Sequence, residues 1–175
     1  PSENDVIYVK SIGLKKYDTA TIGVENDLSV NGNEILMFTN NQKTLVSFDE
    51  TVGATKLTVT EDGADAYVGI DFSSLALSAS DYNTLVIDYK IPTTNSNNFN
   101  TAFVYYKMND AEQYGKYVSM SLTTDSEAWQ TMEISFASMD DWSGTIKSIR
   151  FDYFQSGAVK IGDAIYVRSI KWVKK

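Results

Sequence analysis

Trp142-Ser-Gly-Thr-Ile146, Ile149-Arg-Phe151-Asp-Tyr153, the turn at Gly157 and Ile165-Tyr-Val167-Arg-Ser-Ile170 decide the fold of this 175-residue chain. In Ile149–Tyr153 the apolar residues sit two apart and oppose Ser148, Arg150 and Asp152. Side chains with period two point alternately to the two faces of a strand, so one face is for burial and the other for solvent or ligand. A Trp-bearing loop followed by closely spaced strands of this kind is how a compact all-β sandwich closes.

The same alternation runs back through the chain. Leu85, Ile87, Tyr89 and Ile91 oppose Val86, Asp88 and Lys90. Val118, Met120 and Leu122 oppose Tyr117, Ser119 and Ser121, and Met132, Ile134 and Phe136 oppose Thr131, Glu133 and Ser135. Strands are expected at 6–10, 34–39, 44–48, 55–60, 66–71, 84–91, 101–108, 116–123, 129–136, 146–154, 158–161 and 164–173. Turn residues separate them: Asn31-Gly32-Asn33, Glu61-Asp-Gly63, Asn109-Asp110, Ser156-Gly157 and Gly162-Asp163. No amphipathic helix and no internal repeat is found. Residues 1–33 are expected to add a strand and a wrapping segment to the same domain, and 34–175 to form the sandwich. The polar loop Thr93–Asn100 is expected to be mobile or to face a ligand.

Composition removes several functions. The net charge of −8 repels phosphate backbones and anionic lipid surfaces, so neither nucleic acid nor membrane is an expected partner. A neutral ligand is electrostatically easiest. There is no cysteine, hence no disulfide and no zinc–thiolate site. There is no histidine, which removes the commonest general base and the Ser-His-Asp and Cys-His arrangements. No apolar run is long enough to span a bilayer. With Pro1 in first place, the chain is expected to be a piece of something longer. Aromatic residues are 13% of the chain, led by eleven Tyr; sandwiches favour them for packing, but a Tyr also offers an apolar face with a polar edge.

In order along the chain, Leu45-Val-Ser-Phe48-Asp-Glu50, Tyr67-Val-Gly-Ile-Asp71, Ser80-Asp-Tyr82-Asn-Thr-Leu-Val-Ile-Asp-Tyr89, Trp129-Gln-Thr-Met-Glu-Ile134 and Trp142–Asp152 resemble carbohydrate-binding modules built on the galactose-binding-like jelly roll. The resemblance covers roughly 36–172 and implies an antiparallel β-sandwich. Many such modules hold a structural calcium where the opening acidic segment meets an Asp of the last strand. Here Arg168 or Ser169 stands at that place. A cation there disfavours calcium, and Arg168 is expected to pair instead with Asp49 or Glu50. No cofactor is required, and calcium elsewhere, in the Asp-rich turns, stays open.

A neutral sugar needs flat rings for its C–H faces and planar polar groups for its hydroxyls. Tyr105 with Lys107, Tyr117 with Ser119, and Arg150 with Asp152 are each two apart on expected strands and are the candidates for one sheet face. Tyr114 and Trp142, in expected loops, are further candidate platforms, though Trp142 equally suits a plug at the sandwich end. Trp129 and Trp172 are expected in the core. For catalysis, Asp88, Glu133 and Asp152 are the carboxylates on outward faces, and Tyr105, Lys107 and Arg150 would be a set for β-elimination. The expectation is a non-catalytic module of a secreted or cell-surface bacterial protein. It would bind a β-glucan, mannan or xylan for a covalently linked catalytic domain. The alternatives are a structural or protein-binding sandwich, and a polysaccharide lyase or hydrolase.

Overall fold

The computed structural model describes residues 38–123 and 128–173. The expected strand at 6–10 and the wrapping segment 1–33 lie outside them. Ten strands are described: β1 (Phe38–Gln42), β2 (Thr44–Asp49), β3 (Ala54–Val59), β4 (Tyr67–Asp71), β5 (Thr84–Lys90), β6 (Thr101–Met108), β7 (Tyr117–Ser121), β8 (Gln130–Ser135), β9 (Ile146–Asp152) and β10 (Ala164–Val173). They form two five-stranded sheets. The front sheet runs β1-β4-β9-β6-β7 and the back sheet β2-β3-β10-β5-β8, with antiparallel pairing throughout. The architecture is the all-β sandwich that the alternation called for.

The core lies between the two sheets. From the front sheet come Val68, Ile70, Ala102, Val104, Tyr106, Ile149 and Phe151; from the back sheet come Leu57, Val59, Leu85, Ile87, Tyr89, Ile134, Ile165, Val167, Ile170 and Trp172, all of them buried. A bulge in β10 between Val167 and Ser169 resets the phase of that strand. Ile165 and Val167 point inward before it, Ile170 and Trp172 after it. Without the extra residue the last two would face solvent.

Aromatic rings close both ends. At one end Trp142 stacks on Phe136 (4.3 Å between centroids), meets Tyr106 edge-on and lies 5.6 Å from Trp172. Its indole Nε1 donates to the Tyr82 carbonyl at 3.2 Å. Trp142 is thus the plug, and its ring is turned into the core. At the other end Phe99 stacks on Phe154 at 4.0 Å.

Three local expectations are corrected. Residues 158–161 form a turn, not a strand, because Gly157 and Gly162 both adopt left-handed φ and bend the chain on either side of buried Val159. Trp129 is half-buried, not core: it precedes β8, and the Arg168 guanidinium lies 4.5 Å from its ring. For the 93–100 loop only the expected mobility is corrected: the loop is tied down, while residues 97–100 line a cleft of about 260 Å³. Asn95 exchanges two hydrogen bonds of 2.8 Å with the Ala164 backbone, and the buried Asp163 accepts from the Ser96 N–H and hydroxyl. Phe99 then anchors the loop in the core.

Candidate functional site on the outer front sheet

The outer face of the front sheet is set by the residues that alternate with the core. On β6 these are Phe103, Tyr105 and Lys107; on β9 they are Ser148, Arg150 and Asp152. The register puts Phe103 opposite Asp152, Tyr105 opposite Arg150 and Lys107 opposite Ser148. On the far side of β6, Tyr117 of β7 pairs with Tyr105. On the far side of β9, Gly69 of β4 pairs with Arg150. Gly69 has no side chain to occupy the outer face, and the long Arg150 side chain reaches the ring of the neighbouring outward residue, Tyr67.

The result is one continuous aromatic and planar strip. The Arg150 guanidinium carbon lies 3.8 Å from the Tyr67 ring centroid and 5.1 Å from that of Tyr105. Tyr105 is 5.0 Å from Tyr117, and Tyr117 meets Phe103 edge-on at 5.5 Å. Tyr117 is half exposed, at 50%, and is the most open ring of the strip. Clefts flank the strip. A cleft of about 270 Å³ is lined by Asp65, Phe103, Tyr105, Tyr117, Asp152 and Gln155 among others. A larger, polar one of about 380 Å³ lies where Lys107, Tyr114, Asp71, Asn109, Lys147 and Ser148 meet.

Electrostatics centre on Arg150. Its Nε and Nη2 donate to the two carboxylate oxygens of Asp152 at 2.7 and 2.6 Å, and Nη2 also donates to Asp65 at 2.7 Å. Burial works against this cation, but the Asp152 and Asp65 carboxylates outweigh it and raise its pKa further. Asp152 is only 5% exposed. Burial pushes its carboxyl up to about 6, against the pull of the Arg150 hydrogen bonds. The Tyr105 hydroxyl is raised by burial and then by the Asp152 charge. One cation between two carboxylates leaves this spot with a slight negative charge on an already acidic protein, a setting that repels anions.

Of the residues proposed from sequence, Tyr105, Tyr117, Arg150 and Asp152 come together here. Asp152 is covered by Arg150, so its part is to hold the guanidinium. Lys107 and Tyr114 stand at the polar cleft; the Lys107 ammonium is 4.9 Å from the Tyr114 ring and donates to the Glu112 carbonyl at 2.9 Å. Trp142 does not join this face, because its ring is spent on the core cluster. Sequence reasoning missed Asp65, Tyr67 and Phe103. Phe103 and Tyr67 were visible as outward positions of alternating strands, but only the β4-β9-β6 order brings them to Arg150.

Of the carboxylates considered for catalysis, Asp152 is separated by the sandwich from Asp88 and Glu133, which are diagonal neighbours on the paired strands β5 and β8. Asp88 and Glu133 lie on the outer back sheet, Asp152 on the outer front sheet. The expected partner of Arg168 is also different. Arg168 reaches Asp88 (3.5 Å), while Asp49 accepts from the Tyr166 hydroxyl at 3.1 Å and from the Thr51 and Val52 N–H groups of its own turn. The bulge places Ser169 over Asp88, where its hydroxyl donates at 2.9 Å. Among the described residues no three acidic side chains gather as a metal would need.

This is the β-sandwich fold of carbohydrate-binding modules. The chain is similar to CBM29_1, a family 29 carbohydrate-binding module from Piromyces equi, at 13% identity and TM-score 0.53, with 86% of this chain and 90% of that chain covered. It is similar to TmCBM27, a carbohydrate-binding module with specific mannan recognition, at 13% identity and TM-score 0.52, covering 86% and 95%. It also resembles part of an arabinose-bound α-L-arabinofuranosidase, MgGH51, at 14% identity and TM-score 0.52, covering 83% of this chain and 24% of the enzyme. No family model matches the sequence, and no curated protein does.

Proposed function

We propose that the chain is a non-catalytic carbohydrate-binding module that takes a neutral polysaccharide on the outer front sheet. The observation that carries this reading is the strip Tyr67–Arg150–Tyr105–Tyr117, four planar groups packed side by side on one face with Tyr117 half exposed. Pyranose rings stack their C–H faces on such groups, while Asp65 and Arg150 at the strip and Lys107 at the polar cleft offer hydrogen bonds to hydroxyls. The local charge suits a neutral chain such as a β-glucan, mannan or xylan. Fold neighbours that bind carbohydrate support the same reading.

The module would serve a covalently linked catalytic domain, in a secreted or cell-surface bacterial protein, by raising that domain's concentration at the polymer. Affinity electrophoresis against soluble barley β-glucan, konjac glucomannan and xylan tests this. Retardation in at least one gel, abolished by Tyr117→Ala, is the expected result. Free migration in all of them would favour a structural or protein-binding sandwich, and release of reducing sugar by the isolated chain would favour an enzyme.

A further inference from the structure

We propose that Arg150 and Asp65 together read a pair of adjacent free hydroxyls, which selects 1,4-linked pyranose chains over 1,3-linked ones. The inference rests on the carbohydrate-binding reading above and deepens it.

The argument begins with donors. A guanidinium has five N–H groups. In Arg150 the Nε–H and one Nη2–H form the bidentate pair with Asp152, and Nη2 makes a further bond to Asp65. Nη1 donates to no described residue, so both of its hydrogens remain for a ligand. The guanidinium that carries them is held by the Tyr67 ring at 3.8 Å, the Tyr105 ring at 5.1 Å and the bidentate pair with Asp152. These donors are therefore pre-oriented, and little rotamer freedom remains to be lost on binding.

The acceptor is beside them. Only the Asp65 Oδ2 is engaged by Arg150, and its side chain is 45% exposed. Its Oδ1 accepts from no described residue. Two fixed N–H donors next to a carboxylate oxygen match a vicinal diol. Each hydroxyl oxygen accepts one N–H, and one of the hydroxyls turns its own hydrogen to Asp65. In a 1,4-linked pyranose chain O2 and O3 are free and adjacent in every residue. In the interior of a 1,3-linked chain the free hydroxyls flank the bridged O3 and are not adjacent. Tyr67 and Asp152 are positioning residues here, acting through the guanidinium.

Isothermal titration with cellohexaose, mannohexaose, xylohexaose and laminarihexaose tests the proposal, using the wild type, Tyr117→Ala, Arg150→Lys and Asp65→Ala. Asp65→Ala keeps the Arg150–Asp152 pair intact, so it remains a test even if Arg150→Lys fails to fold by circular dichroism. The expected result is that at least one 1,4-linked hexaose binds tenfold or more tightly than laminarihexaose. Asp65→Ala and Arg150→Lys should each weaken that 1,4-linked hexaose by about tenfold or more, the scale of a charge-assisted hydrogen bond, and leave weak laminarihexaose binding unchanged. Equal affinity for laminarihexaose, or unaltered affinity in Asp65→Ala, overturns the diol reading while leaving the module a carbohydrate binder that depends on Tyr117. Binding of none of the four overturns both.

Discussion

Trp142→Ala and Tyr117→Ala should have opposite effects, because the two rings do different things. Trp142 is half-buried and stacks on Phe136 at 4.3 Å, contacts Tyr106 and Trp172, and donates to the Tyr82 carbonyl. Truncating a large aromatic in a core costs about 3–5 kcal/mol. Partial exposure puts Trp142 at the low end, about 3 kcal/mol, or a fall of about 6–12 °C in Tm for a domain of this size. Its distance from the outer front sheet leaves glycan affinity unchanged. Tyr117 is half exposed and touches only Tyr105 and Phe103 among the rings, so its removal costs less than about 1 kcal/mol of stability. It should nonetheless lose about 1–3 kcal/mol of binding, the scale of one stacked ring. Urea denaturation followed by circular dichroism gives the first quantity and isothermal titration the second. A Trp142→Ala protein that is as stable as wild type yet no longer binds would refute the assignment of plug and platform.

Two further outcomes follow from particular atoms. Gly144 has φ +83°, and a Cβ there would lie 2.0 Å from Asn109 Oδ1, the atom that accepts from the Thr145 N–H. Gly144→Ala should therefore lower stability by about 1–3 kcal/mol from backbone strain, with displacement of Asn109 in addition; a melting curve within a degree of wild type would contradict this. Asp152, with its carboxyl pushed up to about 6, binds a proton more readily folded than unfolded. Its contribution to stability is thus present below the ordinary carboxylate value and is lost as pH rises through about 6. Binding should run the other way. Protonation below pH 6 loosens the bidentate hold on Arg150, so affinity falls as the pH drops, and Asp152→Asn should be weak and flat across the same range by isothermal titration.

The sandwich was legible because burial imposes alternation, and strands β5, β6 and β8, and β9 from Ser148 to Phe151, follow it. The chain end was harder. In β10 a single extra residue shifts the phase, and the spacing of Val167 and Ile170 hides which side Arg168 takes until the bulge is seen. Trp129 misled because large apolar rings are usually buried; pairing with Arg168 is a tertiary event that no local pattern announces. The site was half readable. Tyr105, Arg150 and Asp152 declare an outward face by period alone, but Asp65 sits between strands and comes to Arg150 from 85 positions away. Nothing local marks it. Nor does spacing reveal that β4 neighbours β9, which is what brings Tyr67 onto the guanidinium.

The strand order has a consequence for how the chain is made. In the back sheet β10 lies between β3 and β5, so the last of the described strands to be synthesised is the middle one of its sheet. Until then the β2–β3 hairpin and the β5–β8 pair have no common neighbour, and each displays an open edge able to pair with another nascent chain. The back sheet therefore closes only once β10 has docked, and a chain lacking β10 would be left with two ribbons and no wedge to join them.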